Sequence, residues 1–141
     1  MKTTIEIEVE AANQEFYKTL DSGSLENMER IWLHEDWVRC VHPGWDVLRG
    51  WRDVRESWGR IFGGDQKMKV STDDVSVCRM GELALVTCIE NIVVFEGADF
   101  DSMQAVATNV FVLREGKWLM AHHHASAIPL IIPDSSSDNI Q

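Results

Sequence analysis

The stretch "WLMAHHHASA", residues 118–127, decides the fold. It is apolar apart from three consecutive histidines, and it follows "QAVATNVFVLR" through the short connection "EGK", the pattern of two strands joined as a hairpin. Along a strand, side chains alternate between faces. Trp118, Met120, His122 and His124 therefore share one face, and Leu119, Ala121, His123 and Ala125 the other. The larger set is expected to point into the interior. That places His122 and His124 inward and His123 in an interface or a partly exposed layer.

Working backwards, the strand pattern continues. "KMKVSTDDVSVCRM" turns at Gly81 into "ELALVTCIENIVVFEG", and an acidic loop, "EGADFDSM", leads into "QAVATNVFVLR". Before residue 67 the pattern is helical. Ile5, Val9, Ala12, Phe16 and Leu20 fall on one helical face, although "TIEIEVE" also alternates like a strand. Ser24 caps a second helix, "LENMERIW". A short strand around Trp37, Val38, Cys40 and Val41 ends at Pro43-Gly44, and "GWRDVRESWGRIFGG" forms a third helix stopped by its glycines. Helices first and long antiparallel strands afterwards indicate an α+β fold with helices on one face of a curved sheet.

The 141 residues suit one domain, here residues 1–127, followed by an extension, 128–141, that is apolar in "IPLIIP" and then polar and expected to be disordered. A net charge of −10 argues against nucleic acid, which needs clustered cations, and against anionic membranes. The N-terminus lacks a signal-peptide core, and no stretch approaches the ~20 apolar residues of a membrane span. Cys40, Cys78 and Cys88 lie singly in apolar runs and read as buried free thiols, the usage of a reducing cytoplasm. Five of the six tryptophans crowd into residues 32–58, in a core or around a ligand cavity.

In order, "SGSLENMERIW", "VRCVHPGW", "LRGWRDVRESWGRIF", "LVTCIEN", "ATNVFV" and "GKWLMAHHHAS" resemble the SnoaL-like proteins of the nuclear transport factor 2-like superfamily. They are similar also to the association domain of calcium/calmodulin-dependent protein kinase. The resemblance spans residues 8–127. It implies a cone-shaped fold, with three helices closing over a strongly bent antiparallel sheet around a cavity. It also implies a homodimer formed through the outer sheet face. It leaves function open, because one fold hosts many activities.

The residues narrow the chemistry. His122 and His124, two apart on a strand, invite either a shared metal, with His42 as third ligand, or proton transfer; the third alternative is hydrogen bonding within a polar pocket. No Cys or carboxylate stands beside them at ligand spacing, so the expectation is no metal and no cofactor. The acid–base site of the superfamily's steroid isomerases does not carry over. Tyr17 and Asp36 loosely match two of its parts, but Asn109 stands where an inward acid is needed. Tyr17 is then expected beside Phe16, and Asp36 at the turn. His42 ends a strand at a tight turn, where it either lines the pocket or bonds the turn backbone. Trp45 is a lid or a dimer contact, and Trp58 a wall or core residue. Glu90 and Asn91 interrupt an apolar strand, so one of them faces a cavity, an interface or water, with Arg39 or Arg114 as a possible partner for Glu90. No calcium loop, nucleophile elbow or phosphate loop is present.

The expected function is binding of a small, largely apolar organic molecule, with His42, Trp45, Trp58 and Asn109 as ligand-binding residues. His122 and His124 would be catalytic in any cofactor-free acid–base chemistry. The alternative is a non-enzymatic association module with "IPLIIP" as its docking segment.

Overall fold

A computed structural model describes residues 2–129. Most of "IPLIIP" and the polar tail lie outside the described residues. Three helices precede the long strands: α1 (Thr4–Ser22), α2 (Leu25–Ile31) and α3 (Trp51–Gly63). The ambiguous "TIEIEVE" is helical because Thr3 caps it in both directions: the Thr3 hydroxyl accepts from the Glu6 amide and the Glu6 carboxylate from the Thr3 amide. Ser24 caps α2, accepting from the Asn27 amide at 3.1 Å.

Six strands form one curved sheet in the order β2-β1-β6-β5-β4-β3: β1 (Arg39–Val41), β2 (Leu48–Arg49), β3 (Lys67–Met80), β4 (Leu83–Glu96), β5 (Asp99–Arg114) and β6 (Lys117–Ile128). The sheet is mixed, since β1 runs parallel to β6 while every other pairing is antiparallel. The acidic "loop" is instead a tight turn. Glu96 pairs with Asp99, so the strands continue through those charges, which sit exposed beyond the core. At the β5–β6 connection both Glu115 and Gly116 have positive φ, the requirement of a two-residue turn that matches strand twist.

The core lies between the sheet and the helices. Ala84, Val86, Cys88, Glu90 and Ile92 on β4 are buried at alternate positions, and so are Ala105, Ala107, Asn109 and Phe111 on β5. They meet Val9, Phe16 and Leu20 of α1, Met28 of α2 and Val54 and Trp58 of α3. Cys78 is exposed near the end of β3, unlike buried Cys40 and Cys88. It pairs with Leu85 on the outer face, away from the helices.

β6 breaks the alternation. Met120 pairs with Phe111 but His122 pairs with Val110, so Ala121 is an extra residue, a β-bulge. One inserted residue exchanges the faces of everything after it. Met120 remains buried as expected, but from there His123 and Ala125 face inward, at 3% and 2% exposure. His122 is half-buried and His124 exposed, both on the outer face. The inward placement of His122 and His124 is thereby corrected.

Candidate functional site

Asn13 and Tyr17 stand one turn apart on the buried face of α1 and point at the sheet. There they meet Glu90 of β4, Asn109 of β5 and His123 of β6, side by side on the inner face. The Tyr17 hydroxyl donates to Glu90 Oε2 at 2.6 Å. Asn109 Nδ2 donates to Asn13 Oδ1 at 2.8 Å and to the Tyr17 oxygen at 3.1 Å. Asn109 Oδ1 lies 2.6 Å from His123 Nδ1. His123 Nε2 lies 4.0 Å from Glu90 Oε2, and both side chains are more than nine-tenths buried.

Burial sets the electrostatics. It pushes the Glu90 carboxyl up, partly offset by the Tyr17 hydrogen bond. It pulls the His123 imidazole well below its usual range, with the neighbouring histidines acting in the same direction. Tyr17 is driven up, first by burial and then by the charge of Glu90, so its hydroxyl remains a donor.

Beside this network opens a cavity of about 790 Å³. Glu90 and His123 line its interior. His42, Trp45 and Trp58 form an aromatic wall, Met68, Val70 and Ile92 an apolar one, and Arg60, Asp65 and Glu96 also contribute. His42 is held by Ser57, with Nε2 2.9 Å from its oxygen, while the Ser57 hydroxyl donates to the Val54 carbonyl. The His42 ring packs edge-on against both Trp45 and Trp58, and burial lowers its pKa from 6.5 to about 4.

The expected ligand-binding residues are therefore distributed unevenly. His42, Trp45 and Trp58 line the cavity, and Trp45 is partly exposed at 39%. Asn109 does not line it and instead holds His123 from behind. His122 and His124 are not among the lining residues. Their rings lie 6.2 Å apart on the outer face, where burial, His124 and then Arg39 lower the His122 pKa. Glu90 has no arginine partner: Arg39 bonds the Asp36 and Val38 carbonyls, and Arg114 the Leu113 carbonyl. Tyr17 does pack edge-on against Phe16, at 4.9 Å between centroids, and Asp36 is exposed at its turn. Sequence reasoning missed Asn13 and Ser57. Asn13 carried a readable signal, a polar residue in the stripe Val9, Asn13, Tyr17, Leu20. Among the described residues, no group of three His, Cys, Asp or Glu is placed to hold a metal, and no helix is long and apolar enough to cross a membrane.

Helices closed over a curved sheet, with a cavity between them, define the nuclear transport factor 2-like class of fold. The SnoaL-like domain family matches residues 9–131, and the chain belongs to it. A candidate dehydratase of the nuclear transport factor 2-like family from Streptomyces avermitilis is 35% identical, covering 87% of this chain and 95% of that one with a TM-score of 0.82. A candidate calcium/calmodulin-dependent protein kinase type II association domain from Thiobacillus denitrificans is 28% identical, covering 85% and 94% with a TM-score of 0.73. The F-box protein SKIP8 of Arabidopsis thaliana is 30% identical over 118 residues, 84% of this chain. The chain spans only 48% of that protein's length.

Proposed function

We propose that the protein binds a small, largely apolar organic molecule in this cavity, and that His123 and Glu90 are its acid–base pair. The observation that carries the reading is the placement of the two groups: a buried imidazole and a buried carboxyl, 4.0 Å apart, both lining one cavity. Paired titratable groups displaced by burial in an apolar pocket are the usual signature of a chemical site. His123 Nε2 would accept a proton from the ligand, and the Glu90 carboxylate would stabilise the imidazolium formed. The role first expected of His122 and His124 passes to the histidine between them. The chemistry needs no cofactor, and the Streptomyces relative's name, a candidate dehydratase, is compatible with it.

A second reading, self-association, has its own support. The outer sheet face exposes Val106, at 45%, opposite Ile89, and one relative is named as a candidate association domain. A homodimer through that face leaves the cavity free, so the two readings are compatible.

Native mass spectrometry of the untagged protein with 2-naphthylmethanol tests both. The expected result is a dimer that carries the probe, with binding lost in His123→Phe, which fills the inner end, and the dimer retained. An empty higher-order ring would leave assembly as the function.

A further inference from the structure

The polar side chains that hold Glu90 and His123 spend their donor protons within the protein. The Tyr17 proton goes to Glu90, and both amide protons of Asn109 go to Asn13 and Tyr17. The atom that Asn109 turns toward His123 is therefore its carbonyl oxygen, so His123 Nδ1 must carry the ring proton and Nε2 the lone pair. The Ser57 proton goes to Val54, so His42 spends its own ring proton on Ser57.

Two acceptors remain. Glu90 Oε1 has no hydrogen-bond partner among the described residues, and neither has His123 Nε2. Neither atom is sealed in the core: the sealed, unpartnered side-chain atoms among the described residues are the indole nitrogens of Trp32, Trp58 and Trp118. Around them stand the aromatic surfaces of Trp45 and Trp58. The lining carries three carboxyl groups, Asp65, Glu90 and Glu96, against one cation, Arg60. Arg60 already lies over the Trp45 ring, 5.7 Å from its centroid.

We propose that the head group of the ligand is a hydrogen-bond-donating cation, an ammonium on an apolar skeleton. It donates to Glu90 Oε1 and His123 Nε2 and lies beside the tryptophans. The inference rests on the cavity being the ligand site. A buried carboxyl with one free oxygen complements an N–H donor, and indole faces attract cations. A carboxylate or phosphate head group placed there would face the free Glu90 oxygen and the His123 lone pair, both acceptors. The bound cation would also hold Glu90 ionised against the effect of burial.

The test is isothermal titration calorimetry at neutral pH with one skeleton and three head groups: 2-naphthylmethylamine, 2-naphthylmethanol and 2-naphthoate. The expected order is amine tightest, by about tenfold over the alcohol, and acid weakest. Glu90→Gln should erase the amine's advantage over the alcohol. Equal binding of amine and alcohol, or tighter binding of the acid, overturns the cation assignment and leaves the cavity reading standing. No binding of any probe overturns both. An amine preference that survives Glu90→Gln comes from the acidic surface, and it also overturns the assignment. If Glu90→Gln does not fold, a second readout on the wild type decides. That readout is the His123 Nε2 nitrogen resonance, which should move when the amine binds; an amine that binds without moving it overturns the assignment.

Discussion

Asn109 uses both amide protons and its carbonyl oxygen inside the protein, which makes it the residue that sets the His123 tautomer. Asn109→Leu would leave His123 Nδ1 and Asn13 Oδ1 without partners in the core. An orphaned buried polar group costs about 1–3 kcal/mol, so with two of them chemical denaturation should show a loss of about 2–6 kcal/mol. A loss under about 1 kcal/mol would mean that water replaces the amide. His42 makes a pH prediction. Its folded pKa, about 4, lies below the unfolded 6.5, so the unfolded chain takes up the proton first. Its contribution to stability is therefore fully present above pH 6.5 and is lost as pH falls toward 4. The stability difference between wild type and His42→Gln should shift against the wild type at about 1.4 kcal/mol per pH unit across that window. A difference independent of pH would mean that His42 is hydrated.

Elements place these residues, and one glycine places α3. Gly50 precedes the helix with φ 88 and ψ 151, a conformation nearly reserved for glycine, while its amide bonds the Val38 carbonyl at 2.9 Å. An added Cβ would also sit 3.4 Å from the Asp36 carbonyl oxygen. Gly50→Ala should cost about 1–3 kcal/mol in thermal or chemical unfolding and should displace Trp58 and Ser57, which α3 carries. Unchanged stability would refute this anchoring role. The helix faces, the caps at Ser24 and Gly63-Gly64 and the alternation along β4 and β5 were legible in the sequence because each follows from local periodicity or turn chemistry. β2 was missed, since two residues carry no period. The orientation of the histidines was missed because the bulge at Ala121 is not a local property of "MAHHHASA": it depends on the pairing of β6 with β5. His42, Trp45 and Trp58 were legible as cavity residues by their place beside a turn and on a helix face. The bond from Tyr17 to Glu90 joins residues 73 apart and appears only once α1 lies across the sheet.

Across the whole molecule, alternation separates two surfaces on the same strands. Ala105, Ala107, Asn109 and His123 face the helices, while Val106, Thr108, His122 and His124 face outward. If the protein dimerises through this outer face, Val106 is the residue to test, since it pairs with Ile89 on one side and Ser126 on the other. An arginine at its position would place an unpaired charge in a closing interface, at a cost of several kcal/mol. Light scattering after size exclusion should then show Val106→Arg as a monomer at concentrations where the wild type is a dimer. Binding of 2-naphthylmethylamine should be retained, because no residue of the cavity changes. A Val106→Arg dimer would move the interface elsewhere. A monomer that no longer binds the amine would show that the interface holds the sheet's curvature, and with it the cavity, in place.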